Sequence, residues 1–126
     1  MSKIRATTLA KQDDSASVPV DTVIKGSAKA WVNFDGTVAA ASMIRRAFNV
    51  TSITDSGTGI YVINFASAMA NDTYAVVAGM SYTNTAPGWD HVSPGMNKTV
   101  SSFEVRVSAN NGTALDNGLI QLAVFS

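Results

Sequence analysis

The sequence feature that most constrains the fold is a two-residue alternation of apolar and other side chains that recurs in three separate segments. It runs through Ala30–Phe34, Ile60–Phe65 and residues 103–107. Successive side chains of a β-strand point to opposite faces of a sheet, so this period places one set in a core and the other outside it. In the third segment Glu104 and Arg106 lie between apolar neighbours and mark the clearest solvent-facing side. The chain is therefore predicted to be rich in β-structure.

Two further segments, residues 74–82 and 119–125, are apolar on both faces. Such strands are expected in the middle of a sandwich or sealed between subunits. Between Ile53 and Ile60 the run Thr-Asp-Ser-Gly-Thr-Gly supplies small residues that tolerate positive φ and predicts a hairpin loop. The predicted fold class is all-β, a compact antiparallel β-sandwich of about seven strands.

Residues 1–26 show neither the strand period nor the 3.6-residue helical period. They are predicted to form an extended N-terminal arm, and residues 27–126 to form one sandwich domain. A polar arm without a core of its own is expected to be ordered only against a partner surface. Val18 and Val20 in this arm, and Trp31 in the first predicted strand, are therefore predicted to be packing or assembly residues.

Residues 38–48 contain good helix formers, and Thr37 is a possible N-cap. However, Phe48, Val50 and Ile53 fit a strand with a bulge better than the stripe of a helix. We expect a strand from about Ile44, with residues 38–43 as a loop.

Composition excludes several classes of protein. The formal net charge is zero and only 14% of residues are charged, which argues against a nucleic-acid partner. There is no cysteine, so disulfides and thiolate metal sites are absent. The N-terminal residues lack the apolar run of a signal peptide, and no segment approaches the roughly eighteen consecutive apolar residues of a membrane span. Membrane insertion is not expected.

Catalytic residues are scarce, since His91 is the only histidine and Glu104 the only glutamate. Asp90, His91 and Ser93 are close in sequence, but none of the local motifs that accompany a catalytic triad is present. The aspartates lie in the arm or at predicted turns, where their side chains bond to the backbone. The sequence predicts a protein that is not an enzyme, with no catalytic, cofactor or metal site.

Residues 83–99 form the longest predicted loop and the best candidate for contact with an external ligand. Trp89 offers a flat ring for a sugar or a protein hot spot, although it would equally fit against the end of the sandwich or a neighbouring copy. The predicted receptor-binding residues are Asn84, Trp89, Asp90, His91, Asn97 and Lys98.

Three segments carry a resemblance to a known family. SAKAWVNFDGT at residues 27–37, IRRAFNVTSITDSGTGIYVINF at residues 44–65 and YAVVA from Tyr74 form an ordered set. They resemble a domain of tail fibres and related virion appendages of tailed bacteriophages, over about residues 18–78. The resemblance implies a structural virion protein, usually homotrimeric, that is made in the host cytoplasm and attached to the phage tail by its arm. It also implies contact with other virion proteins and with a host surface glycan or protein during adsorption.

Two alternatives remain open at this stage. A head decoration or cement protein would insert its arm between capsid subunits, and copy number in the particle separates it from a tail fibre. A carbohydrate-binding module outside a virion is the other alternative, against which the N-terminus without a secretion signal argues.

Overall fold

The computed structural model describes residues 2–81 and 90–126 of the chain. Over this range the protein is mainly β, with ten strands in antiparallel sheets and one short α-helix. The strands are β1 (Thr8–Ala10), β2 (Ser17–Pro19), β3 (Ala30–Phe34), β4 (Ile44–Phe48), β5 (Val50–Gly57), β6 (Ile60–Phe65), β7 (Ala75–Met80), β8 (His91–Met96), β9 (Ser102–Ser108) and β10 (Ile120–Phe125). The helix α1 is Val20–Gly26. The prediction of antiparallel β-structure is confirmed, but two four-stranded sheets hold eight strands rather than about seven, and β1 and β2 form a separate hairpin.

The first sheet has the strand order β4-β3-β10-β7. Its central strands pair Ala30 with Val124 at one end and Phe34 with Ile120 at the other. All four of these side chains are buried, whereas Trp31 on the opposite face of β3 is exposed. The alternation predicted for β3 is therefore confirmed, and β10 is central as its apolar sequence indicates.

β7 is the other strand with a two-sided apolar sequence, and of the two expectations for it, burial between subunits stays a prediction. It pairs only with β10 among the described strands and lies at the edge of the first sheet. Buried and exposed side chains do not alternate regularly along β7, and Val77 on its outer face is 53% exposed. Only the inner side of β7 faces the core, so its outer apolar side chains are left uncovered within the chain.

The second sheet has the strand order β5-β6-β9-β8. Inward-facing side chains of β6 and β9 alternate with outward-facing ones, as predicted. The sequence assigns residues 83–99 to a loop, but residues 91–96 form the edge strand β8. Pro94 and Gly95 concealed this strand, and the pairing with β9 shifts register between Ser93 and Met96, as an irregular edge strand permits.

The inner faces of the two sheets contribute to one buried cluster. Phe34 of the first sheet meets Tyr61 of the second edge-to-face, with ring centroids 5.3 Å apart. Nearer the other end, Phe65, Phe103 and Tyr74 form a group of three rings with centroid separations of 5.6 to 6.2 Å. Aromatic pairs in these geometries add to the free energy gained from burying their area.

β4 and β5 are separated by the single residue Asn49, which has a φ of 52°. The sequence suggested one bulged strand here, but the chain passes from the first sheet to the second at this point. The Asn49 amide donates to the carbonyls of Lys29 and Ser67, and its oxygen accepts from the Ser67 N–H. These bonds offset the cost of left-handed backbone. The expected start of a strand at Ile44 is confirmed, and residues 40–42 of the preceding loop form one 3₁₀ turn.

The N-terminal segment contains more regular structure than the sequence indicated. Residues predicted to be extended form the hairpin β1–β2, with Leu9 opposite Val18, followed by the seven-residue α1. No residue of α1 is buried, and no helix in the described residues is long and apolar enough to cross a membrane. The elements are too short to show a period in sequence, because each spans only a turn or two of helix or three strand residues.

Candidate functional site

The two ends of the first sheet provide a reference for the candidate site. At the arm end, the Lys29 N–H donates to the Val124 carbonyl at 2.7 Å, directly before β3. At the far end, Met80 of β7 pairs with Ile120, which in turn pairs with Phe34. We refer below to the arm end and the far end in this sense.

The predicted receptor-binding residues do not come together at one end. Asn84 and Trp89 lie outside the described residues. Asp90 directly precedes β8, and His91 begins it opposite Ser108. His91 and Asp90 lie at the far end, because Ser108 follows Val107, whose N–H donates to the Gly59 carbonyl there.

Asn97 and Lys98 follow β8 at its other end, about 16 Å away for a six-residue strand. Asn97 has a φ of 47° and donates to the Glu104 carboxylate at 3.1 Å. The Lys98 ammonium donates to the Tyr74 carbonyl at 2.9 Å and lies 5.4 Å from the Tyr74 ring centroid. Both side chains are thus held within the fold near the arm end, because β8 interrupts the single loop that the sequence suggested.

A polar network closes the far end. The buried Tyr61 hydroxyl lies 2.7 Å from an Asp116 carboxylate oxygen and 3.1 Å from the Gly36 carbonyl. The same carboxylate oxygen accepts from the Gly59 N–H at 2.8 Å. Burial, followed by the hydrogen bond to Asp116, raises the pKa of Tyr61 far above its ordinary value. The phenol therefore stays protonated and acts as a donor, which is a structural role.

Asn117 is the buried polar residue of this network. Its amide nitrogen donates to the Ser81 carbonyl at 2.7 Å, while its oxygen accepts from the Ser81 hydroxyl and the Leu119 N–H. Gly59 has a φ of 66°, and a Cβ there would lie 2.3 Å from the Val107 carbonyl oxygen. Over the described residues, the far end therefore consists of tightly packed backbone and hydrogen-bonded polar groups.

The outer face of the first sheet carries one row of apolar side chains that runs across its four strands. Cross-strand register aligns Phe48, Trp31, Ala123 and Val77 across β4, β3, β10 and β7. Trp31 is 38% exposed and Phe48 is 53% exposed. We call these four residues the apolar row. Trp31 was predicted as a packing residue, but its neighbours in the row are distant in sequence and were not identified.

Polar side chains lie at the next level of the same face. Arg46 pairs with Asn33, which pairs with Gln121, and an open depression of about 460 Å³ lies between Trp31 and Gly79. The Asn33 side-chain oxygen is buried and has no hydrogen-bond partner within the described part of the chain. Within the described residues, this face therefore has exposed apolar side chains and one buried side-chain oxygen without a hydrogen bond.

The outer face of the second sheet satisfies its own polar groups. The Asn64 amide donates to the Ser52 and Thr54 hydroxyls at 3.2 and 3.1 Å. Glu104 accepts from Arg106 at 2.6 Å. The hydrogen bond from Arg106, followed by that from Asn97, lowers the pKa of Glu104 below its ordinary value.

The arm holds the other predicted assembly residues. Val18 is partly buried in β2 opposite Leu9, and Val20 begins α1 with its N–H donating to the Thr7 carbonyl at 2.9 Å. Both contact the arm itself, so the structure leaves their proposed role in assembly as a prediction.

Across residues 2–81 and 90–126, no group of three His, Cys, Asp or Glu side chains is placed to hold a metal ion. In comparisons with known proteins, no family model matches the chain, and no curated protein or solved structure matches it significantly.

Proposed function

We propose that this protein is a small tail fibre of a tailed bacteriophage, a non-enzymatic structural component of the virion that contributes to adsorption to the host cell. The observation that carries the proposal is the ordered resemblance of residues 27–37 and 44–65 to virion appendage proteins. Those residues include β3, β4, β5 and β6, which belong to both sheets. The likeness therefore covers a connected part of the fold rather than one short loop.

The proposed architecture is a β-sandwich body on an N-terminal arm that makes contacts with other subunits. The shared buried cluster of the two sheets supports the sandwich, and the absence of buried residues in α1 supports a contact role for the arm. The body assembles as a homotrimer, since the exposed apolar row would otherwise remain in water. Its other partners are virion proteins of the tail, and neither nucleic acid nor membrane is among them.

The proposed receptor-binding tip lies at the far end, where Asp90 and His91 begin β8. Asn84 and Trp89 stay predicted receptor-binding residues on sequence alone. Loops are free to change against a host surface, whereas strands must satisfy one another. Asn97 and Lys98 are left out of the tip because they lie near the arm end and bond within the fold. A host surface glycan is the proposed ligand, with Trp89 as a stacking platform.

Electron microscopy of purified particles labelled with an antibody against this chain tests the location. Label on tail appendages is the expected result. Label distributed over the head would support a decoration protein instead, and absence of label from particles would contradict both.

Adsorption competition tests the tip. Purified protein should slow phage adsorption to host cells, and Trp89→Ala and His91→Ala should each weaken that competition several-fold. The matched control is Ser101→Ala, an exposed residue near the arm end. Equal competition by all variants with unchanged melting temperatures would remove this end from receptor binding.

A further inference from the structure

The chain carries an uncovered apolar surface on its body. In the apolar row, Phe48 and Val77 are each 53% exposed. Phe48 lies beside Trp31, and Val77 lies beyond Ala123 on its other side. The row spans all four strands of the first sheet at one level. Contiguous apolar area of this kind on a soluble protein typically marks an interface.

A second uncovered apolar surface lies on the arm. Leu9 of β1 is 49% exposed, and Ile24 of α1 is 53% exposed, with Val23 beside it. A two-stranded hairpin and a seven-residue helix are each marginal in water without packing against another surface. The arm therefore needs a surface to pack on, and the structure does not place it on the apolar row of its own body.

The charges beside the two surfaces are complementary. Arg46 lies on the outer face of the first sheet, level with Asn33, and has no ion-pair partner within the described residues. Its strand neighbour Arg45 is already paired with Asp35 at 2.9 Å. On the arm, residues 8–26 carry Asp13, Asp14 and Asp21 against Lys11 and Lys25, which is two minus three, a net charge of −1.

We propose that the arm of one copy, from β1 to the end of α1, packs on the apolar row of the neighbouring copy. The exposed side chains of the arm cover Trp31, Phe48 and Val77, and an arm aspartate pairs with Arg46. Because the two surfaces are different patches of one chain, the contact is head-to-tail, and it forms a ring when the rotation between successive copies closes. The inference rests on the homo-oligomer proposed above, in which three copies joined by this contact form the closed ring.

Light scattering of the full chain tests the two surfaces separately. Val77→Asp on the row and the double change Leu9→Asp with Ile24→Asp on the arm should each convert the oligomer to single chains. All three positions are exposed, so the β-sheet signal of the body in far-ultraviolet circular dichroism should be retained, and only the contribution of the arm should fall. Val100→Asp is the matched control, an exposed valine away from both surfaces, and should remain oligomeric. An arm variant that stays oligomeric, or a wild-type chain that is a monomer, would overturn the inference.

Disulfide cross-linking identifies the contact, because the chain has no cysteine of its own. Chains carrying Leu9→Cys and chains carrying Val77→Cys, with different tags, are co-expressed and oxidised. Cross-linked pairs containing both tags are expected, whereas Leu9→Cys with Ser52→Cys on the outer face of the second sheet should give none. Equal cross-linking in both pairings, or none in either, would overturn the inference.

These outcomes are separable from those of the proposed function. Cross-linking between arm and row in purified protein, with no label on phage particles, would leave the contact standing and reject the virion role.

Discussion

The outer faces of the two sheets use their side chains in opposite ways. On the second sheet, Asn64 bonds to neighbouring hydroxyls and Glu104 to Arg106, so the face is complete within one chain. On the first sheet, the apolar row is exposed and the Asn33 oxygen has no partner among described residues. The inner faces, by contrast, share one core. Under the contact between copies proposed above, protein covers the outer face of the first sheet, and the outer face of the second sheet stays in solvent.

The largest expected effect comes from comparing a phenylalanine on an inner face of the sandwich with a phenylalanine on an outer face. Phe103 is buried against Phe65 and Tyr74, whereas Phe48 is half exposed in the apolar row. Phe103→Ala should lower the free energy of unfolding by about 4 kcal/mol because it leaves a cavity. Phe48→Ala should cost less than about 1 kcal/mol in the dissociated chain. Urea unfolding of both variants checks this, and equal losses would contradict the assignment of faces.

The next effect concerns the link between the sheets at the far end. Tyr61, in the second sheet, bonds to the Gly36 carbonyl after β3 and to Asp116. Tyr61→Phe should cost about 1.5 kcal/mol, since it removes the buried hydroxyl that donates to Asp116, which keeps only the Gly59 N–H as a donor within the described residues. Thermal unfolding is the measurement. Asp116→Asn is the companion variant, and losses that simply add in the double variant would argue against a direct interaction between the two side chains.

Two asparagines test the outer faces directly. Asn64→Ala should lower the free energy of unfolding by about 1 kcal/mol, because its bonds to Ser52 and Thr54 are lost. Asn33→Ala should have almost no effect on an isolated chain, since its oxygen makes no bond there. Chemical denaturation of both variants under dissociating conditions checks the contrast. A reversed order would mean that the first face satisfies its polar groups within the chain.

The smallest effect is a pH dependence that belongs to the second face. The pKa of Glu104 lies below its ordinary value of 4.5 in the folded protein, through Arg106 and then Asn97. Its stabilising contribution is therefore present above that ordinary value and is lost as pH falls through the lower folded pKa. For a pair this close to solvent we expect less than about 1 kcal/mol. Comparing wild type with Glu104→Gln in urea at about pH 6 and about pH 3 isolates it, and equal acid sensitivity would exclude Glu104 as the source.

Sequence predicted the strands whose burial is one-sided. β3, β6 and β9 each bury every second side chain. This two-residue period can be recognised in the sequence without knowing which strands pair with one another. β8 was missed because Pro94 and Gly95 are tolerated in an irregular edge strand. The sequence around Asn49 predicts a bulge instead of a change of sheet. A residue that tolerates left-handed backbone is typical of both features, so the sequence does not distinguish them.

Candidate sites were harder to predict, because they depend on register between distant strands. Trp31 was singled out in the sequence, but Phe48, Ala123 and Val77 become its neighbours only through the pairing of β4, β10 and β7. Asp90 and His91 are likewise close to Asn97 and Lys98 along the chain but not in space, because β8 separates the two pairs.

The pairing of Ala30 with Val124 has a mechanical consequence. The body is entered and left at the same end, through two adjacent antiparallel strands. A force applied between the arm and the C-terminus would peel β3 from β10, breaking their hydrogen bonds one after another. A force applied between the arm and the far end would instead load β3 along its length, with its ladder bonds sharing the strain. In the fibre proposed above, a pull between the arm and the far end would therefore load the body in its more resistant direction.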